Sequence, residues 1–211
     1  MKFRDVLALV GNEPVFASAL LRSGQTPQAQ VHLQISRWVA GGKLVQLRRG
    51  LYAFAPAWRK VEAHPFVVAN ALQRGSYVSL QSALAFHGVI PEHVPVVTSV
   101  GPRRAETVRN ALGSFQFNHL DSRLSYGYTR VEMAARQFAF VARPEKALLD
   151  LVHLTAGGDS TEYLASLRLQ HPTAMNRETL LEFATRSGRP KWMRAARRAL
   201  AVLADERGEA S

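Results

Sequence analysis

A predicted helix that ends at two glycines and runs directly into a short basic hairpin constrains the fold of this chain most. Pro27 is typical of a first helical position, and Gly41 and Gly42 end the helix. Two β-rich runs then flank the basic turn Arg48-Arg49-Gly50. The helix has one apolar face at helical spacing, formed by Val31, Ile35, Trp38 and Val39. A polar helix beside a basic hairpin is typical of a winged helix-turn-helix, which is a DNA-binding module.

The surrounding sequence predicts a two-domain α+β protein. Two shorter helices are predicted over residues 3–10 and 15–21, before the third helix over residues 26–40. Pro56 ends the last hairpin strand, so residues 1–56 are predicted to form the winged helix-turn-helix domain. Residues 57–211 are predicted to form a mixed α/β domain with a small, largely antiparallel sheet and C-terminal helices.

Positive charge is concentrated in the N-terminal part of the chain. The whole chain carries a formal net charge of +11, and residues 1–60 hold nine Lys and Arg against two Asp and Glu. A basic protein of this size favours a polyanionic partner. Together with the helix and hairpin pattern, this charge predicts binding to double-stranded DNA.

Polar and basic side chains of the third helix and the hairpin are the candidate DNA contacts. Glutamine pairs well with adenine, and arginine pairs with guanine or with phosphate. Leu33 also points away from the apolar face, either toward a thymine methyl group or toward the second domain. The alternative is an ordinary solvated helix face. The candidates are Arg22, Thr26, Gln28, Gln30, His32, Gln34, Arg37, Lys43, Arg48 and Arg49.

The last predicted helix carries a second group of basic residues, opposite an apolar face that includes Trp192. An ordinary amphipathic helix, with its apolar face packed and its basic face in solvent, explains this pattern. The alternative is a second anion-binding surface for DNA, RNA or an acidic partner protein. The residues on that basic side are Arg194, Arg197 and Arg198.

Catalytic and metal-binding patterns are weak. The chain has no cysteine, no helical His pair with acidic support, and no glycine-rich nucleotide loop. Ser79 is better explained as a helix N-cap than as the nucleophile of a triad with His87 and Asp150. Lys146 and Asp150 lie four residues apart and predict an exposed ion pair. We therefore expect no enzymatic activity, no cofactor and no metal site.

The sequence also lacks membrane and secretion signals. No run approaches the roughly 18 apolar residues that span a bilayer, and the first five residues lack the apolar core of a signal peptide. We expect a cytoplasmic protein with no membrane partner.

Three segments resemble the AbiEi family of antitoxins from type IV toxin–antitoxin systems. The first runs from Ser36-Arg37-Trp38-Val39 to Arg49-Gly50-Leu51-Tyr52 and is similar to the family's winged-helix signature. The second is Tyr77-Val78-Ser79-Leu80-Gln81-Ser82-Ala83-Leu84-Ala85-Phe86-His87-Gly88, followed by Pro91. The third is Ala142-Arg143-Pro144-Glu145-Lys146-Ala147-Leu148-Leu149-Asp150.

The resemblance implies an N-terminal domain that represses transcription of its own operon, so the expected DNA target is a repeat sequence in the protein's own promoter. It also implies a C-terminal domain that neutralises a nucleotidyltransferase toxin without a stable toxin–antitoxin complex. The alternatives are a stand-alone DNA-binding regulator without a toxin, and a module that binds RNA or protein.

Overall fold

The fold is α+β, as the sequence predicts. The structure is a computed structural model that describes residues 1–22, 27–92, 94–170 and 174–209, with side chains described up to residue 204. It contains a three-stranded antiparallel sheet near the N-terminus and a six-stranded mixed sheet in the second part of the chain. None of the described helices is long and apolar enough to cross a membrane.

The described residues up to Phe54 form two helices and a hairpin around a small apolar core, an arrangement compatible with the predicted winged helix-turn-helix. The core joins Val6 and Val10 of the first helix to Trp38 and to the hairpin. The elements are α1 (Phe3–Val10), β1 (Phe16–Ala17), α2 (Gln28–Ala40), β2 (Leu44–Arg48) and β3 (Leu51–Phe54). The hairpin and the glycine stop after α2 are therefore confirmed.

The predicted helix over residues 15–21 is wrong. Phe16 and Ala17 form a short strand that pairs antiparallel with β3, opposite Tyr52 and Leu51. A single turn of 3-10 helix follows over Ser18–Leu21. Pairing with β3 buries the Phe16 ring 5.4 Å from the Phe54 ring. That long-range burial outweighs the local helical pattern of the segment.

The second part of the chain is a six-stranded sheet with helices packed against one another and against the sheet. The strand order is β6-β7-β5-β4-β9-β8. Three neighbouring pairs are antiparallel, whereas β5/β7 and β4/β9 are parallel. The elements are α3 (Pro65–Leu72), β4 (Tyr77–Val78), α4 (Leu80–Phe86), β5 (Val96–Gly101), β6 (Glu106–Asn110), β7 (Gly113–His119), β8 (Tyr128–Met133), β9 (Gln137–Ala142), α5 (Pro144–Leu154), α6 (Thr161–Ser166), α7 (Arg177–Arg186) and α8 (Pro190–Glu209).

The hairpin lies between two cores because successive strand residues point to opposite faces. Tyr52 and Phe54 of β3 pack in the N-terminal core, whereas Ala53 packs in the larger core of the second part. Leu47 of β2 joins it there and is only 3% exposed. The amide of Asn110 on β6 also donates to the Leu47 carbonyl at 3.3 Å. The predicted domain boundary at residue 56 therefore assigns the hairpin to the first domain, although Leu47 and Ala53 pack in the core of the second part of the chain.

Two partly buried histidines are expected to make the stability of the fold depend on pH. His64 caps α3, because its Nδ1 accepts the Phe66 backbone N–H at 3.2 Å. Burial lowers the pKa of His64 below its usual 6.5. Burial, with a smaller effect from the nearby Arg189 charge, lowers the pKa of His153 in the same direction. Both imidazoles therefore resist protonation more strongly in the folded state than in the unfolded chain.

Acidification through pH 6.5, the usual His pKa, is therefore expected to lower the free energy of unfolding. The unfolded chain takes up protons there that the two folded-state imidazoles resist. Urea titrations between neutral and mildly acidic pH would measure the slope. The double variant His64→Asn/His153→Gln keeps a capping acceptor and should flatten that slope. An unchanged slope would contradict the assignment to these two groups.

Candidate nucleic-acid interface

Helix α2 has one face in the N-terminal core and one face in solvent. Val31, Ile35 and Trp38 are buried, with exposed fractions of 6% or less. On the opposite face Leu33 is 54% exposed and belongs to neither of the two apolar cores. The neighbouring Arg37 is exposed as well. This face can enter a groove of DNA without disturbing the core.

The structure places most of the predicted α2 contacts in solvent. Gln34 is half-buried and lines a cavity of about 90 Å³ with Met1 and Trp38, which reduces its reach. Thr26 lies outside the described residues. The exposed candidates on α2 are Gln28, Gln30, His32 and Arg37.

The turn of the hairpin presents one of its two arginines to solvent. Gly50 has a positive φ of +83°, a conformation that glycine adopts without strain, and it brings the chain back into β3. Arg49 beside it is exposed. It is therefore free to reach a phosphate, as the sequence predicts for this position.

Arg48 has a different role from the predicted phosphate contact. Its Nη1 donates to the Leu72 carbonyl at 2.5 Å and to Glu106 Oε1 at 3.2 Å. Gln73 Nε2 donates to the same carboxylate oxygen at 3.2 Å. Arg48 therefore holds the hairpin against the second part of the chain. The reason is tertiary, because Leu72 and Glu106 are far away in the sequence.

Lys43 and Arg22 differ in how freely they face solvent. The Lys43 ammonium lies 5.0 Å from the Phe3 ring centre and 5.6 Å from the Trp58 ring centre. Lys43 is only half-exposed, and these aromatic rings hold it. Arg22 is exposed beside the hairpin turn and lines the same groove as Arg49.

Two of the three arginines of the possible second basic surface on α8 are hydrogen-bonded to one residue, Asp159. Arg194 Nε donates to Asp159 Oδ2 at 2.8 Å, and this hydrogen bond lowers the pKa of Asp159. Arg198 Nη1 donates to the Asp159 backbone carbonyl at 2.5 Å. Arg197 alone of the three has no such contact among the described residues and is exposed. This geometry favours the packed helix with a solvated back.

The predicted exposed ion pair on α5 is wrong, because both members are completely buried. Lys146 and Asp150 have exposed fractions of 0%, and the Lys146 ammonium pairs with Asp150 Oδ1. Asp150 Oδ2 accepts from Ser79 Oγ at 2.8 Å and from the Tyr77 hydroxyl at 3.1 Å. Sequence spacing shows that the two charges can meet on one helix face but not which way that face points.

Ser79 stands at the N-cap of α4, but its hydroxyl makes no capping hydrogen bond. It donates to Asp150 instead, and His87 Nε2 contacts the Ala142 carbonyl at 2.8 Å rather than Ser79. The predicted N-cap interaction is therefore wrong, and the structure forms no Ser79–His87 pair.

Aromatic rings and neighbouring hydroxyls enclose the buried Lys146–Asp150 pair. The Lys146 ammonium donates to the Tyr77 hydroxyl at 2.8 Å and lies 5.2 Å from the Trp192 ring centre. Burial lowers the pKa of Lys146 and raises that of Asp150, while the attraction between the two charges opposes both shifts. A substrate would have to open the core to reach them, so the cluster connects β4, α4 and α5 rather than forming an open site.

Comparisons with known proteins identify a shared fold. No protein-family model matches the sequence, and no curated protein matches it. The crystal structure of the RV2827C protein from Mycobacterium tuberculosis is similar to this chain, with a TM-score of 0.56 at 18% sequence identity. The match covers 96% of this chain and 80% of that one. The similarity therefore extends through both parts of the chain and concerns the fold alone.

Proposed function

We propose that this protein binds double-stranded DNA and represses transcription from its own promoter. Helix α2 enters the major groove with its solvent face, and Arg49 at the hairpin turn contacts the phosphate backbone. The observation that carries this proposal is the exposed face of α2, with Arg37 beside Leu33, on a module whose opposite face is fully packed. The positive charge of residues 1–60 supports the same partner.

Within this proposal Arg37 recognises a base and Arg49 recognises the phosphate backbone. We expect Arg37→Ala to reduce the preference for the promoter over random DNA by about 1–3 kcal/mol, because the variant cannot hydrogen-bond to a base edge. We expect Arg49→Ala to weaken binding to both duplexes. Its log–log salt dependence should fall by about 0.9 for each phosphate that the variant no longer neutralises.

Fluorescence anisotropy over a series of salt concentrations would measure both effects. Arg177→Ala removes an exposed arginine at the start of α7, away from the N-terminal module, and serves as the matched control. Equal binding of promoter and random DNA by the wild-type protein at every salt concentration would contradict specific repression. Normal binding by Arg49→Ala would remove the hairpin turn from the interface.

Neutralisation of a nucleotidyltransferase toxin is a second proposal, and it rests on the sequence resemblance. Two of the resembling segments meet in the core, where Ser79 and Tyr77 from one contact Asp150 from the other. The two segments therefore pack together in the second part of the chain. If the neighbouring gene encodes a nucleotidyltransferase, co-expression of that enzyme with the full-length protein would test the role. Failure to restore growth would leave a stand-alone regulator.

A further inference from the structure

A groove between the hairpin and the second part of the chain is lined by basic residues that are far apart in sequence. Its volume is about 360 Å³, and Gly50 and Leu72 contribute to its wall. Its described lining contains no acidic side chain. The basic residues that line it are Arg22, Arg48, Arg49, Arg74 and Arg103.

Four of these five guanidinium groups are available to a ligand. Arg48 is held by Leu72 and Glu106. The other four are exposed, and none of them forms an ion pair within the part of the chain that the structure describes. Like charges around one groove repel one another unless an anion lies between them. The groove therefore matches a ligand with several negative charges.

The anchoring of Arg48 explains why charges from both parts of the chain meet here. Its bond to the Leu72 carbonyl attaches the hairpin to the end of α3. Arg74 follows Leu72 by two residues. Arg103 lies in the loop between β5 and β6, and Glu106 at the start of β6 accepts the second hydrogen bond from Arg48. The hairpin turn with Arg49 is thereby fixed beside two arginines of the second domain.

We infer that Arg74 and Arg103 extend the DNA interface, and that this groove receives the phosphate backbone of the duplex next to the segment bound by α2. The inference rests on the proposed function. Arginine forks bind phosphate oxygens well. The groove continues from the hairpin turn, and its described lining has no aromatic ring on which a base could stack. Backbone recognition therefore fits it better than recognition of a nucleotide base.

The test compares Arg74→Ala/Arg103→Ala with Arg177→Ala/Arg189→Ala, which removes two exposed arginines elsewhere in the second domain. Anisotropy titrations of the full-length variants use a labelled random-sequence duplex over a salt series. We expect the groove variant to bind more weakly and its log–log salt slope to fall by about 1.8, because two phosphates are no longer neutralised. The control variant should keep the wild-type slope.

The outcomes separate this inference from the proposed function. If the wild-type protein binds duplex DNA and the two double variants behave alike, the groove inference is wrong and the proposed function stands. If the wild-type protein binds no duplex, both are wrong. A parallel thermal-shift titration uses sodium triphosphate. Stabilisation that depends on Arg74 and Arg103, with unchanged duplex affinity, would identify a small-anion site and overturn the duplex assignment.

Discussion

Replacing Asp150 by alanine is expected to lower the free energy of unfolding by about 3–5 kcal/mol, because an ammonium group would remain buried without its partner. Lys146 and Asp150 are both completely buried, so water cannot compensate for the missing charge. The hydroxyls of Ser79 and Tyr77 would also be left without their acceptor. Urea denaturation followed by circular dichroism would measure the decrease in stability.

Two further variants make this prediction specific. Asp159→Ala breaks an ion pair whose partner Arg194 is 54% exposed, so its cost should be much smaller. Lys146→Met/Asp150→Asn removes both charges and keeps an acceptor for the two hydroxyls. It should be more stable than Asp150→Ala. Equal destabilisation by Asp150→Ala and Asp159→Ala would show that the α5 pair is not buried as described.

Replacing Trp38 by alanine is expected to destabilise the N-terminal module by about 3–5 kcal/mol, because a large buried ring leaves a cavity. Trp38 is 6% exposed, and its ring centre lies 5.5 Å from that of Phe3. Since its helix also carries the proposed DNA contacts, DNA binding should disappear as a consequence of unfolding.

Leu33→Ala provides the matched control on the same helix, because Leu33 lies on the opposite face and is 54% exposed. We expect it to leave the unfolding midpoint nearly unchanged. Thermal denaturation of both variants would compare the two faces directly. A Trp38→Ala protein with the wild-type melting temperature would mean that α2 is rotated about its axis and that Trp38 is not part of the core.

The sequence predicted the elements whose signals are local. Gly41 and Gly42 end α2, the apolar positions 31, 35 and 38 face a core, and Arg49-Gly50 forms the hairpin turn. These features follow from backbone conformation and from helical periodicity, which neighbouring residues determine. The α+β class and the exposed face of α2 were predictable for the same reason.

Only the tertiary structure decided which partner each ambiguous residue meets. Phe16 lies in a strand because it pairs with Tyr52 of β3. The Lys146–Asp150 pair is stable in the core because Ser79 and Tyr77, about 70 residues away in the chain, donate hydrogen bonds to the Asp150 carboxylate. A local sequence pattern cannot predict these pairings, because the partners are far apart in the chain.

The candidate site divides in the same way. Charge and helical pattern along the sequence were sufficient to identify the α2 face and Arg49 as candidates for DNA contact. They could not show that Arg48 points inward to Leu72 and Glu106, or that Arg74 and Arg103 come beside the hairpin. Spacing along a chain determines which side chains share a face, whereas packing between distant elements determines what that face meets.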